Sequence, residues 1–329
     1  MLRRAFYCFF AVFALLGPTA AKASPALVFE PYNGTVFYAE DPDTLWYPAS
    51  LTKMMTAYVA FHALRNGEVT LDTPAVVTKN ALSEPPTKLG LPVGTSMTLE
   101  TAIRVIIVKS ANDVAVMVAE TVGGTEEAFI ERMNEAAKRL GMTSTQFANP
   151  HGLPNAQQYT TARDLARLAR ALIIEFPEYA DIFAQKSVSV GKRQLRSHNG
   201  LLRTFNGADG MKTGFICDSG FNIIVSATRD GRKLVAVVLG EPSTRVRNAR
   251  AAQLLENGFK RYFWKSLFGT SLNGLALPAD RADKPAALRA VICGPRPKRR
   301  RSELMPDLFR QEKPVTQFAE LPPLRFRPN

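Results

Sequence analysis

Ser50-Leu51-Thr52-Lys53 sets a hydroxyl and an amine three residues apart, just after Pro48-Ala49 and at the start of an apolar run. On a helix, residues i and i+3 share a face, so the two groups come within hydrogen-bonding reach. A lysine among apolar neighbours such as Met54 and Tyr58 has its pKa lowered by desolvation, and can then take the Ser50 Oγ proton as that oxygen attacks a carbonyl. The Ser50 N–H, at the helix start, would face the developing oxyanion. The chemistry expected is acyl transfer, with lysine in the role that histidine often fills. A purely structural role is disfavoured, because an unpaired charged lysine on an apolar helix is costly.

Such a tetrapeptide also arises by chance. Ser189-Val190-Gly191-Lys192 matches it and reads as strand and turn, and Ser197-His198-Asn199 repeats the second motif below. The discriminating feature is an ordered set: Ser50-x-x-Lys53, then Ser110-Ala111-Asn112, then Lys212-Thr213-Gly214, separated by 60 and then 102 residues. Ser110 and Asn112 could alternatively cap helices, since they stand between two helical runs. His151 and Asp164 read as structural, the latter as an ion-pair partner of Arg163 or Arg167. The only histidines are His62, His151 and His198, with no His-Glu-x-x-His and no Cys/His cluster at ligand spacing, so no metal site is expected. No Gly-x-Ser-x-Gly elbow and no phosphate-cradling glycine loop occur, which argues against a typical esterase or nucleotide enzyme.

The elements that must position these residues read as one mixed α/β (α+β) domain over residues 24–259. Residues 26–30 and 35–39 flank Asn33-Gly34, and residues 221–228 and 233–239 flank Asp230-Gly231; both read as hairpins. Between them lie helices: residues 51–64, apolar over most of the circumference and therefore buried; a run from Thr98 to Val108; one capped by Thr125 and ended by Gly141; and one from Thr160 to Phe176 before Pro177. Strands at both ends with helices between suggest a sheet whose outer parts are joined by a helical insertion.

The 329 residues are enough for a large core, and 46% hydrophobic with 22% charged is ordinary globular usage. The formal charge of +13 invites a nucleic-acid reading, but its distribution argues otherwise. Residues 24–258 hold 24 basic and 23 acidic residues, whereas residues 259–329 hold 15 basic and 6 acidic, with nine of the 22 prolines and the run Arg296-Pro297-Lys298-Arg299-Arg300-Arg301. This extension, residues 260–329, is expected to be mostly irregular from about Leu277.

Residues 1–23 have the form of a secretory signal: Arg3 and Arg4, an apolar run over 5–16, and Ala21-Lys22-Ala23. Export to the periplasm or cell envelope follows, and with it partners for the basic run other than nucleic acid: an anionic membrane or wall surface, or solvent alone. Residues 259–268 mix aromatic and basic side chains, and read either as an interfacial helix or as the end of a domain helix packed on its own core. Cys8 belongs to the signal, which leaves Cys217 and Cys293 as an even pair in an oxidising compartment, either bridged or independently buried.

The three motifs with the signal resemble the serine penicillin-recognising enzymes, and more closely the D-alanyl-D-alanine carboxypeptidases among the low-molecular-mass penicillin-binding proteins. The resemblance spans roughly residues 25–259 and extends to Pro150-His151-Gly152-Leu153, Thr161-Ala162-Arg163-Asp164-Leu165-Ala166, Asn199-Gly200-Leu201-Leu202 and Asp209-Gly210-Met211-Lys212-Thr213-Gly214-Phe215. It implies a β-lactamase/transpeptidase-like fold, an antiparallel sheet flanked by helices with an inserted helical subdomain. It implies Ser50 as nucleophile, Lys53 as general base, and Ser110 as relay to the leaving amine. Asn112 would hold the substrate amide and Lys212 complete the proton and charge network. Thr213 and Gly214 would pair with the substrate as an added strand, and Ser50 and Phe215 N–H groups would form the oxyanion hole. Arg247, with Arg245 competing for the role, would bind a terminal carboxylate.

Peptidoglycan stem peptides are then the expected substrates and β-lactams covalent inhibitors, with no cofactor. The same residues would serve a D,D-endopeptidase. A β-lactamase would need a dedicated deacylation base, and no Glu-x-x-x-Asn pattern follows Asn112. A non-catalytic wall-binding protein is the remaining class, against which the intact Ser50, Lys53, Ser110 and Lys212 argue. Better-known relatives carry a second, β-rich domain and a C-terminal amphipathic anchor; the 70 residues after 259 are too polar and broken for that domain.

Overall fold

Two apolar segments near the start of the chain, Ala26–Phe29 (β1) and Val36–Glu40 (β2), pair antiparallel. The computed structural model describes residues 24–276 and 283–295; the expected signal and the basic run from Arg296 lie outside the described residues. The first hairpin is wider than Asn33-Gly34 suggests. The Glu30 carboxylate captures the Asn33 N–H (2.8 Å) and Asn33 Oδ1 captures the Thr35 N–H (2.8 Å), so the connection spans residues 30–35 and Gly34 takes a φ of 76°.

The expected helix over 51–64 is present with a different first turn. Ala49–Thr52 form a 3-10 turn and Lys53–Arg65 the α-helix (α1), because Ala49 enters at φ 48° and the Leu51 N–H closes on Pro48 O (3.2 Å). Ser50 therefore sits on the tight turn and Lys53 opens the helix proper. A small sheet of Pro74–Val76 (β3) and Ser96–Thr98 (β4) brackets Lys79–Ser83 (α2).

The helical insertion follows as Leu99–Val108 (α3), Asn112–Gly123 (α4), Glu126–Arg139 (α5) and Ala162–Glu175 (α6). Thr98 and Thr125 cap α3 and α5 by accepting N–H groups of Thr101 (3.2 Å) and Ala128 (3.1 Å). The cap of α6 is Thr161, one residue later than expected, because Thr160 exchanges two 2.8 Å backbone hydrogen bonds with Trp46. Short elements come next: Ala180–Ala184 (α7), the hairpin Ser187–Val190 (β5) with Arg193–Arg196 (β6), and Leu201–Thr204 (α8). The second Ser-x-x-Lys match thus lies on a strand and turn, as its composition indicates.

Lys212–Ile216 (β7), Gly220–Arg229 (β8) and Arg232–Glu241 (β9) complete a five-stranded antiparallel sheet of order β2-β1-β9-β8-β7. Asp230 (φ 49°) and Gly231 (φ 73°) make the two-residue turn that their types favour. Period-two alternation sorts the sheet's side chains. Val28, Ile223, Val225, Leu234 and Ala236 pack under Thr244–Lys260 (α9) with Ala251 and Leu255, while Leu27, Phe29, Ile224, Val235 and Val237 join the larger core with α1 and α6.

Packing continues past α9. In Tyr262–Phe268 (α10), the Tyr262 ring lies 5.3 Å from that of Phe37, whereas Phe263, Trp264 and Leu267 are exposed. The buried Arg163 guanidinium pairs with Asp43 (2.7 Å) and donates to the carbonyls of Leu272 (3.0 Å), Leu275 (2.9 Å) and Ala276 (3.1 Å), holding that stretch on the domain. Asp164 takes Arg167 (2.9 Å), not Arg163, and also accepts the Ser144 N–H (2.8 Å). Cys217 and Cys293 are joined as a disulfide, beside which Asp218 pairs with Arg289 of Arg289–Ile292 (α11).

Candidate active site

The 3-10 turn that carries Ser50 is gripped from two sides by the close-running backbone of two glycines. Gly214 of β7 runs so close that a Cβ there would stand 3.1 Å from the Ser50 nitrogen, and a Cβ on Gly152 (φ 91°) would fall 1.8 Å from Ala49 O. The chain thus fixes the nucleophile turn between the sheet edge and the strip around His151.

At this turn Lys53 Nζ lies 3.2 Å from Ser50 Oγ. Its other partners are Asn112 Oδ1 (2.8 Å) and the His151 carbonyl (2.6 Å). Burial is the main cause that pushes the Lys53 amine well below its usual value, and the nearby Lys212 cation adds to it. An amine that gives up its proton this readily can serve as the base.

Ser110 occupies the turn between α3 and α4 with a left-handed φ of 64°, which aims its side chain back at the sheet. Lys212 Nζ donates to Ser110 Oγ (2.9 Å) and to Thr213 O (3.1 Å). Burial, and then Arg247, bring the Lys212 pKa down to about 7. Asn112 is fixed by donating from Nδ2 to Pro85 O (2.9 Å) and from its N–H to Thr87 O (2.7 Å).

Ser50, Ser110, Thr213, Gly214, Phe215 and Arg247 line one open cleft of about 320 Å³. Arg247 is buried and makes no ion pair among the described residues; it donates to Asn248 Oδ1 (2.8 Å), and burial lowers its pKa to about 10. Arg245 is exposed on α9 and does not line the cleft. The Phe215 ring, 42% exposed, leans on Phe221 at 4.3 Å. β7 is an edge strand, and among the described residues one side of its backbone has no strand beside it. No cluster of three or more His, Cys, Asp or Glu able to hold a metal is found among the described residues.

Two residues that line the cleft and one that supports its loop escaped the sequence reading. His198, read as a chance repeat, lines the cleft with its pKa lowered to about 4, first by burial and then by Lys212. Thr87 lines it as well. Asp113 accepts the N–H groups of Leu89 (2.9 Å) and Gly90 (2.9 Å), which ties the loop bearing Thr87 to α4. Adjacency to Asn112 was the only signal for Asp113; the other two had none.

A family model described as D-alanyl-D-alanine carboxypeptidase matches residues 14–243. The D-alanyl-D-alanine carboxypeptidase DacA of Haemophilus influenzae is 34% identical over 251 residues, covering 74% of this chain and 64% of the relative. DacC of Escherichia coli is 37% identical over 235 residues, 69% of this chain and 59% of the relative. The chain therefore spans less than two thirds of the length of these curated relatives. Among solved structures, penicillin binding protein 5 from Haemophilus influenzae superposes with a TM-score of 0.70 at 34% identity, over 74% of this chain and 73% of that one. Penicillin-Binding Protein D2 from Listeria monocytogenes in its cefotaxime bound form gives 0.65 at 29% identity, over 72% and 97%.

Proposed function

Since this chain belongs to the D-alanyl-D-alanine carboxypeptidase family, we propose that it removes the terminal D-alanine from peptidoglycan stem peptides through an acyl-enzyme on Ser50. The observation that carries the reading is convergence: Ser50, Ser110 and Arg247 line one cleft, the two hydroxyls are bonded from behind by buried Lys53 and Lys212, and among the described residues Arg247 has no acid partner and β7 is an edge strand.

In this reading the stem peptide lies extended along Thr213 and Gly214 of β7, and its terminal carboxylate meets Arg247. Neutral Lys53 takes the Ser50 proton as Oγ attacks the penultimate carbonyl. The oxyanion faces the N–H groups of Ser50 and Phe215. As the C–N bond breaks, the departing amine of D-alanine receives a proton through Ser110, backed by Lys212. Once the Ser50 proton has passed by way of Ser110 to the amine, Lys53 is neutral again. It takes a proton from the water that attacks the ester carbonyl and returns it to Ser50 Oγ as the C–O bond breaks and the shortened peptide leaves as its acid. No acidic side chain lines the cleft among the described residues, which favours slow hydrolysis of a β-lactam adduct and so inhibition over β-lactamase turnover.

Mass spectrometry of the protein mixed with a penicillin tests this, followed by a pentapeptide ending in D-Ala-D-Ala. A long-lived adduct on Ser50 and release of one D-alanine are expected; no adduct, or one elsewhere, overturns it. Rapid penicillin turnover would indicate a β-lactamase, and cleavage of cross-linked dimers in preference to the pentapeptide an endopeptidase.

A peptidoglycan substrate would require an envelope location, and the signal-like residues 1–23 support that reading. Exposed Phe263, Trp264 and Leu267 beside Lys260, Arg261 and Lys265 suit an anionic envelope surface. Salt-sensitive binding of the full chain to anionic vesicles, lost in Trp264→Ser/Leu267→Ser, is the expected result.

A further inference from the structure

The two oxygens that bind Lys53 besides Ser50 Oγ are both governed by one short loop, residues 84–87. Pro85 and Thr87 carbonyls fix Asn112, and through it Asn112 Oδ1. Glu84 reaches the other oxygen less directly. The His151 carbonyl accepts from Lys53 (2.6 Å), and His151 Nδ1 accepts the Leu153 N–H (3.1 Å). In the neutral ring the proton is then on Nε2, which lies 3.4 Å from Glu84 Oε2. The His151 side chain is 5% exposed and that of Glu84 15%, so water does little to screen this pair.

We propose that Glu84, acting through the His151 imidazole, is a positioning residue that sets the pH at which Lys53 becomes a base. The charges around Lys53 give the reason. Lys212 on β7 opposes its protonation, while Asp113 on α4 and Glu84 favour it. Asp113 already spends its carboxylate on the Leu89 and Gly90 N–H groups. Glu84 faces His151, Lys53 and Lys88; its contact with His151 is the main cause that keeps it below the usual carboxylate range and therefore ionised. Burial and Lys212 unopposed would leave Lys53 too weak a base to draw the serine proton, since efficiency falls as the base's pKa drops below the working pH.

The inference rests on the acyl-transfer reading for what Lys53 does, but the charge relation is measurable without turnover. In the full chain with ¹³Cε-labelled lysine, the Lys53 signal is assigned by its loss in Lys53→Met and titrated by NMR. Glu84→Gln keeps the shape and removes the charge; the Lys53 midpoint should fall by about half a unit or more. The acid limb of penicillin acylation should move down equally, with a plateau lowered roughly two- to fivefold. Glu84→Asp should give a smaller shift in the same direction, which keeps the test open if Glu84→Gln folds poorly. In a His151→Ala background, Glu84→Gln should add little.

A merely structural Glu84 would lower stability and rate without moving either midpoint, and that result overturns the proposal. A full-sized shift persisting without the His151 ring overturns the route through it. Failure of wild-type Ser50 to acylate would instead end the acyl-enzyme reading and leave the Lys53 titration to decide this one.

Discussion

Lys212 Nζ donates to Ser110 Oγ across 2.9 Å, joining the edge strand β7 to the left-handed turn between α3 and α4. Both ends are buried, and the lysine's pKa falls from 10.5 to about 7. Between those values the unfolded chain holds a proton that the folded protein has released, so stability rises with pH across the window. One such proton contributes about 1.4 kcal/mol per pH unit. Lys212→Met should flatten the rise in unfolding free energy measured by urea between about pH 7.5 and 9.5 by that amount. Equal slopes in the two proteins would mean that Lys212 keeps its proton when folded.

Lys53 is the only group within hydrogen-bonding distance of Ser50 Oγ among the described residues. Its substitution by alanine should lower penicillin acylation by roughly 10²- to 10⁴-fold, the range for a lost general base. It should leave thermal stability unchanged or raised, because a desolvated amine is removed from the core. Stopped-flow acylation with a parallel melt checks both halves; a stable variant that acylates at the wild-type rate would rule out the lysine as base.

Arg247 and Arg245 are neighbours on α9 with opposite fates, one buried on the cleft and one exposed. Arg247→Ala should lower kcat/KM for a peptide with a free terminal carboxylate by roughly 10- to 100-fold, the loss of a charge-assisted contact of about 1.5–3 kcal/mol. It should have much less effect on the same peptide amidated at its C-terminus. Arg245→Ala should behave as wild type on both, and an effect there equal to that of Arg247→Ala would reassign the carboxylate site.

Residues whose chemistry dictates their type were legible as an ordered set, since Ser-x-x-Lys and Ser-x-Asn each recur elsewhere in the chain. Ser110, Asn112 and Lys212 were named from that ordered set and the family that it resembles, whereas Ser50 and Lys53 could be named because acyl transfer with a lysine base needs a hydroxyl within reach of a desolvated amine. Caps and tight turns were legible for the same local reason: Thr98, Thr125 and Asp230-Gly231 satisfy their own neighbours. What could not be read depends on distant backbone. The three carbonyls that Arg163 holds lie 109 to 113 residues away, the Thr160 backbone is claimed by Trp46, and Glu84 meets His151 only because two loops converge on Lys53. Where a side chain's partner is a remote carbonyl, neither periodicity nor spacing carries a trace of it.

Gly152 offers the sharpest test of how the nucleophile turn is held. A Cβ there would stand 1.8 Å from Ala49 O and 2.3 Å from Ala49 C, and the φ of 91° already disfavours any side chain. Both obstructing atoms belong to backbone, so neither can swing away as a flexible side chain would. In Gly152→Ala the turn must therefore part from the His151 strip, drawing Ser50 away from Lys53 and the His151 carbonyl away from the amine. Acylation should fall by about 100-fold or more, because small displacements of reacting groups cost that much, and stability by about 3 kcal/mol or more through combined strain and overpacking. Gly94→Ala provides the control: its φ of 86° is similar, but nothing lies within 4 Å of the added carbon. It should lose only about 1–2 kcal/mol to backbone strain and acylate normally. If both variants lose stability equally and both acylate at the wild-type rate, the close approach at Ala49 does not position Ser50.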